Sequence, residues 1–268
     1  MKSIKKLIIK FLIFIFGRPN YIRKLQWLAI SKFFINTNNT TCIDIGSGSL
    51  YFTEKLKKFN FKRIYAVDLI FDDKTKDRAC ELDISLIEGD AQKELPIDEG
   101  TADFILLSSV LHMVDNPNSL LKECRRLLKK DGILVISTPN EYRFLPYFFS
   151  IASNKFLNKI FNLPSRYEDF LELLGNKFGT SFKYGYLKTT EFEKILNENG
   201  FNIFNKKYSP KIFGSFLWEL SLIFFNRFGS KVFYLLYLLT PVALVVDSIY
   251  NSENYSCEHI WGIKKNGF

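Results

Sequence analysis

The sequence predicts an α/β domain in which a mainly parallel sheet carries helices on both faces. Between residues 40 and 140, short apolar runs rich in β-branched residues alternate with amphipathic helical patterns, which is typical of such a sheet. The 268 residues are enough for one large domain or two small ones, each with its own core. A composition of 47% hydrophobic and 24% charged residues excludes a disordered or fibrous chain.

Five apolar runs are predicted to form strands, and they cover residues 41–45, 63–67, 84–88, 104–107 and 133–137. Helical patterns cover residues 52–59 and 119–129, and we expect the second of these helices to stop at Asp131-Gly132. Another helix is predicted ahead of the first strand, over residues 21–34, because its apolar residues recur on one face.

Residues 1–36 form a predicted basic helical arm. No acidic residue precedes Asp44, whereas eight basic residues do, so the rest of the chain is almost neutral. In residues 1–16 lysines alternate with Ile, Leu and Phe over a stretch too short to span a bilayer. The pattern favours an amphipathic helix lying on anionic headgroups. The alternative is an extra helix packed on the domain.

Two further segments are predicted to be insertions. Residues 211–250 indicate two apolar helices joined by a turn, interrupted by Glu219 and Pro241, and neither is suited to cross a bilayer. They form either a shallow membrane hairpin or a helical cover of the core. Residues 141–186 are rich in aromatic residues and are predicted to form a lid over an apolar or ring-bearing substrate. The alternative is that these aromatics are lid core, since the chain holds 28 Phe.

Acidic residues lie at or just after the ends of the first three predicted strands. Asp44 precedes the glycine-containing turn Gly46-Ser47-Gly48, where a carboxylate would repel a pyrophosphate and attract an ammonium or sulfonium group. Asp68 lies twenty-four residues later, where it could accept two hydrogen bonds from a ribose diol. Asp90 follows the third run and could accept from an adenine amine. Together they indicate a site for a positively charged nucleoside.

Five segments resemble the class I S-adenosylmethionine-dependent methyltransferases, particularly the small-molecule branch that includes the ubiquinone and menaquinone biosynthesis enzymes. They are CIDIGSGS (42–49), YAVDL (65–69), LIEGDAQKELP (86–96), ADFILLSSVLHMVDNP (102–117) and LLKKDGILVISTPN (127–140). The resemblance covers residues 40–140, and more loosely residues 189–201 and the last strand. It implies a Rossmann-like, seven-stranded, mostly parallel sheet with an antiparallel last strand. Residues 37–268 would then be the methyltransferase domain and S-adenosylmethionine the cofactor.

The resemblance also assigns cofactor contacts to residues of this chain. It places the methionine end of the cofactor near the first strand, the ribose near the second and the adenine near the third. The implied cofactor residues are Asp44, Gly46, Ser47, Gly48, Asp68, Leu69, Asp90, Ala91 and Ser108. One position departs from the family, which usually has a third glycine where this chain has Leu50. A side chain there would narrow the pocket or shift the turn.

The resemblance implies attack of an acceptor atom on the sulfonium methyl group, in line with the departing sulfur. A hydroxyl acceptor needs a base, and His112, which follows the fourth strand, is the candidate; the alternative is a contact without proton chemistry. His259, beside the last strand, is interpreted as structural. The predicted lid residues that contact the acceptor are Tyr142, Arg143, Arg166 and Tyr167.

The arm, the lid and the apolar segment favour a lipid-like, quinone or polyprenyl-linked acceptor at the inner face of a membrane, with the enzyme in the cytoplasm. Nucleic acid is the alternative partner. It is disfavoured because the lysines of the arm alternate with Ile, Leu and Phe, and because the fourth run ends in Ser-Ser-Val-Leu. A non-catalytic scaffold of the same fold is the third alternative. The four cysteines form no C-x-x-C pair, so we expect no metal site and a reducing compartment.

Overall fold

A computed structural model describes residues 21–140, 169, 188–209, 211, 213–217, 220, 223–224, 239, 242–243, 245–247, 249, 256 and 258–266. The chain divides into two compact units. The sheet unit comprises Trp27–Glu141, Lys183–Lys207 and His259–Phe268, and the second unit comprises Met1–Gln26, Tyr142–Phe182 and Tyr208–Glu258. The arm helix predicted for residues 1–16 lies outside the described residues, as does the lid apart from residue 169.

The helices and strands follow the predicted alternation. In chain order they are α1 Tyr21–Ile30 with a short 3-10 turn Ser31–Phe33, β1 Thr41–Ile45, α2 Thr53–Leu56, β2 Arg63–Asp68, α3 Asp73–Glu81, β3 Ser85–Glu88, β4 Ala102–Ser108, α4 Pro117–Leu127, β5 Leu128–Pro139, α5 Thr189–Glu198, β6 Phe201–Ser209 and β7 Glu258–Lys265.

The described strands form one seven-stranded sheet in the order β3-β2-β1-β4-β5-β7-β6. The pairs β1–β2, β2–β3, β1–β4 and β4–β5 are parallel. This confirms the predicted fold, a mostly parallel Rossmann-like sheet with an antiparallel last strand. Because Ile45 pairs with both Val67 and Leu107, and Asp68 pairs with Glu88, the carboxyl ends of β1 to β4 lie along one edge.

Alternating residues of the central strands build a core on each face of the sheet. One core places Ile43, Ile105 and Ile136 against residues of α4 and α5. The other holds Cys42, Leu106 and an aromatic cluster composed of Trp27, Phe34, Phe52, Phe59, Phe61 and Phe104. Part of the phenylalanine content of the chain therefore serves ordinary packing.

The predicted end of the helix before β5 is wrong. Asn116 caps α4 by accepting a hydrogen bond from Ser119 N at 3.0 Å, but the helix ends at Leu127, before the Asp131-Gly132 pair. Leu128 is fully buried and pairs with Ala102, so β5 begins there. A shift of register follows, and Lys129 Nζ bonds Asp103 at 2.8 and 2.9 Å. The polar run therefore belongs to the strand.

Candidate cofactor site

The first acidic residue of the site is held inside the protein. Asp44, in β1, is only 1% exposed, and its carboxylate accepts a hydrogen bond from Thr53 Oγ1 at 2.5 Å. Thr53 is the first residue of α2 and is itself fully buried. The hydrogen bond fixes the carboxylate directly before the glycine turn. Sequence reasoning missed Thr53, although it lies a short distance downstream of that turn.

The turn after β1 depends on glycine. Gly46 N donates to Val67 O at 2.8 Å, so the turn crosses the end of β2. At φ +74°, a Cβ on Gly46 would come within 2.3 Å of Val110 Cγ2, so no side chain fits there. Gly48 has φ +52°, and a Cβ at that residue would meet no atom within 4 Å. The turn therefore leaves open space beside its backbone that a ligand could approach.

Asp68 lies next to that space at the end of β2. Its Oδ2 accepts from Gly48 N at 2.7 Å and its Oδ1 from Leu69 N at 2.8 Å. A carboxylate offers about four acceptor positions, so each oxygen keeps capacity for a further donor. Leu69 is 69% exposed and Ile70 is 76% exposed, which places an apolar surface directly beside the carboxylate. The site therefore offers carboxylate acceptor positions beside an exposed apolar surface.

Asp90 is positioned by a residue that the sequence did not single out. Its Oδ1 accepts from Gln92 N at 3.0 Å and from Gln92 Nε2 at 3.1 Å. The side-chain oxygen of Gln92 in turn accepts from Asn116 N at 2.7 Å, which connects the Asp90 loop to the start of α4. Gly89 N bonds Asp68 O at 2.9 Å, so the Asp68 and Asp90 loops are adjacent. Ala91, between Asp90 and Gln92, packs against the core.

The ends of β4 and β5 are joined by serines. Ser108 Oγ lies 3.3 Å from Ser137 Oγ, and Ser109 N donates to Ser137 Oγ at 3.0 Å. Ser109 takes a left-handed conformation with φ +58° and turns the chain towards Val110, the residue against Gly46. His112 follows and is 6% exposed. Its role as a base stays a prediction, and the four lid residues lie outside the described part of the chain.

Leu50, the departure from the family pattern, is accommodated without filling the site. It has φ +62°, a conformation that favours glycine, yet its side chain is fully buried. It packs with Ala66, Phe71 and Ala79, on the side of β2 that α3 covers. The side chain therefore does not occupy the open space beside Gly48.

A separate cavity of about 440 Å³ lies at the opposite edge of the sheet. It is lined by residues at the amino ends of β4 and β5, including Asp103 and Lys129. None of the predicted cofactor residues lines it. Within the described residues, no group of three or more His, Cys, Asp or Glu side chains is placed to hold a metal ion.

The comparison with protein families matches one segment of the sheet unit. Residues 43–136, which run from β1 into β5, match the family described as "Methyltransferase domain". This part of the chain is therefore similar to a methyltransferase domain. The match and the fold support an S-adenosylmethionine-dependent methyltransferase, with S-adenosylmethionine as its cofactor. A comparison with curated proteins gives no match.

Solved structures support the fold of this chain. Geranyl diphosphate C-methyltransferase from Streptomyces coelicolor is similar with a TM-score of 0.58 at 13% identity, over 91% of this chain and 79% of that chain. The 1,6-didemethyltoxoflavin-N1-methyltransferase from Burkholderia thailandensis is similar with a TM-score of 0.54 at 12% identity, over 94% of this chain and 81% of that chain. A SAM-dependent methyltransferase from Thermotoga maritima is similar with a TM-score of 0.55 at 18% identity, over 94% of this chain and 96% of that chain.

Proposed function

We propose that the chain transfers a methyl group from S-adenosylmethionine to a small, lipid-like acceptor, such as a quinone or a polyprenyl-linked compound, at a membrane surface. The observation that carries the proposal is the row of carboxylates along the open glycine turn, which suits a positively charged nucleoside. The acceptor class is supported by the alternation of basic and apolar residues in the arm and by the aromatic residues of the lid.

In this proposal each carboxylate has a separate task. Asp44, held by Thr53, contributes negative potential near the methionine end together with Gly46, Ser47 and Gly48. Asp68 accepts the ribose hydroxyls through the acceptor positions that its backbone donors leave open, and Leu69 contacts the base. Asp90, oriented by Gln92, accepts from the adenine amine beside Ala91, and Ser108 lies beneath the amino-acid end.

When bound, S-adenosylmethionine supplies an electrophilic methyl group on a positively charged sulfur. The protein orients the acceptor in line with that methyl group and keeps water away, which lowers the barrier through positioning. His112 takes the proton of a hydroxyl acceptor in this proposal. The proposed acceptor contacts are Tyr142, Arg143, Arg166 and Tyr167. Their side chains carry aromatic rings and positive charge, which suit an apolar compound with an anionic end.

Related folds handle comparable compounds. The Streptomyces enzyme was solved with geranyl diphosphate, an isoprenoid, and the Burkholderia enzyme with a small heterocycle. Both are small molecules, which supports a small-molecule acceptor here. Among the described residues, no helix is long and apolar enough to cross a bilayer. The membrane association that we propose is peripheral, through the arm and through residues 211–250.

Two experiments test the proposal. Lipid extracts incubated with the protein and isotopically labelled S-adenosylmethionine should yield a labelled apolar product by mass spectrometry, and the Asp68→Asn variant should give less of it. Label that appears only in nucleic acid, or in no product, would contradict the acceptor class. Flotation with liposomes should recover the full chain and lose most of a variant without residues 1–19. Equal flotation of both forms, or of neither, would remove the arm from the proposal.

A further inference from the structure

One side of a helical stretch in the second unit exposes large aliphatic side chains. Leu239, Val242, Val245 and Ile249 are helical, and 39%, 48%, 59% and 70% of each residue is exposed. Their spacings of three, three and four residues place them within about 120° of each other around a helix. These four residues are called the apolar stripe. Single exposed aliphatic residues are common, but four that share one side at helical spacing are not.

Contacts on the other side fix the direction in which the stripe points. Ala243 is fully buried and packs with Leu217, and Phe213 lies against the same cluster. Asp247 is 8% exposed, and its carboxylate accepts hydrogen bonds from Phe213 N at 2.9 Å and from Gly214 N at 3.1 Å. The inner side of the stretch is therefore anchored by packing and by hydrogen bonds, and it leaves the stripe on the outer side.

The charge of the protein is concentrated in the unit that carries the stripe. The second unit holds 15 basic and seven acidic residues, a net charge of +8, whereas the sheet unit holds 22 and 21, a net charge of +1. An aliphatic face on a strongly basic unit is complementary to a surface that is apolar inside and negative outside. An anionic lipid bilayer has that chemistry. An apolar partner protein would match the stripe but not the charge.

We propose that the apolar stripe is a membrane contact face, which inserts its aliphatic side chains among the acyl chains of an anionic bilayer while basic residues of the same unit contact the headgroups. This deepens the proposed function, on which it rests for the membrane surface, and it names the residues that touch the lipid. It does not depend on which compound receives the methyl group.

The test uses the full chain with vesicles of phosphatidylcholine, alone or with added phosphatidylglycerol. Val245→Asp should lower partitioning into the anionic vesicles at least tenfold, and Val242→Ser combined with Ile249→Ser should lower it similarly. Ile35→Asp is the matched control, because Ile35 is 63% exposed but belongs to the sheet unit. It should bind as the wild type does. Circular dichroism and S-adenosylmethionine affinity should be unchanged in every variant.

Several results would overturn the proposal. Wild-type affinity of both stripe variants for anionic vesicles would show that the stripe does not touch lipid, and equal binding of the wild type to neutral vesicles would remove the anionic component. A wild-type dimer in light scattering that Val245→Asp dissociates without loss of vesicle binding would identify the stripe as an interface between two copies. A wild type that does not bind S-adenosylmethionine would refute the proposed function instead. Stripe variants that lose vesicle binding but keep cofactor affinity would support the membrane contact face.

Discussion

Replacing Leu50 with glycine and with alanine separates the effect of its backbone conformation on stability from the effect of its buried side chain. Leu50 holds a left-handed backbone conformation, with φ +62°, while its side chain is fully buried in the core next to Phe71 and Ala79. Both substitutions remove the buried side chain. Only glycine also removes the steric cost of the left-handed conformation, which is about 1 to 2 kcal/mol for a residue with a Cβ.

The expected changes in the free energy of unfolding rank the two Leu50 variants in an unusual order. Loss of a fully buried leucine side chain lowers the free energy of unfolding by about 3 kcal/mol, so Leu50→Ala should be destabilised by roughly that amount. At a positive φ, glycine is favoured over alanine by about 1 kcal/mol despite its greater freedom in the unfolded chain. We therefore expect Leu50→Gly to be more stable than Leu50→Ala. In a helix interior the order is reversed, with glycine about 1 kcal/mol worse than alanine.

Urea unfolding followed by circular dichroism measures the free energies, and Leu121 supplies the matched control. Leu121 is also fully buried, but it lies inside α4. Leu121→Gly should be less stable than Leu121→Ala, the opposite of the order at Leu50. Because the Leu50 side chain points into the core, the affinity for S-adenosylmethionine should change by no more than about threefold in either Leu50 variant. A Leu50→Gly protein less stable than Leu50→Ala would refute the reasoning.

Three further predictions concern other buried groups. Burial raises the pKa of Asp247 above the usual 3.8. The folded protein therefore loses stability as the pH rises from the unfolded pKa to the raised folded pKa, because the buried carboxyl group must ionise. The free energy of unfolding of Asp247→Asn, measured by urea titration, should therefore increase relative to that of the wild type as the pH rises above about 4. Glu123 accepts hydrogen bonds from a backbone amide and a neighbouring arginine, so Glu123→Gln should lower the free energy of unfolding by about 2 kcal/mol in the same assay. Burial raises the pKa values of Cys42 and Cys124, whereas Cys80 is exposed. Peptide mass spectrometry after iodoacetamide treatment should therefore find Cys80 labelled in the native protein and the other two only after denaturation.

Hydrophobic periodicity was sufficient to predict the central strands. The predicted bounds of the first strand match β1, Thr41–Ile45, in which Asp44 is the one charged residue. The start of β5 was missed, since Lys129 to Gly132 has the composition of a turn. That segment is extended because Leu128 pairs with Ala102 in the sheet and Lys129 pairs with Asp103. Such tertiary contacts are not visible in the local sequence.

The placement of Asp44, Asp68 and Asp90 along one edge of the sheet could be predicted, because the carboxyl ends of parallel strands meet there. Their supporting residues could not. Thr53 and Gln92 are ordinary helix and loop residues in the sequence, and only the folded chain brings them to Asp44 and Asp90. The conformation of Leu50 was equally hidden, since a leucine gives no local signal for a positive φ.

Isothermal titration calorimetry with S-adenosylmethionine tests most directly the claim that the carboxylates at the strand ends bind this cofactor. The wild type should bind, and Asp68→Asn should bind ten- to a hundredfold more weakly, since about 1.5 to 3 kcal/mol is lost with hydrogen bonds to a charged acceptor. Asp131→Asn, which changes an exposed carboxylate at the start of β5, should bind as the wild type does. Equal affinity of the wild type and Asp68→Asn, or no binding by either, would contradict the assignment of the cofactor site.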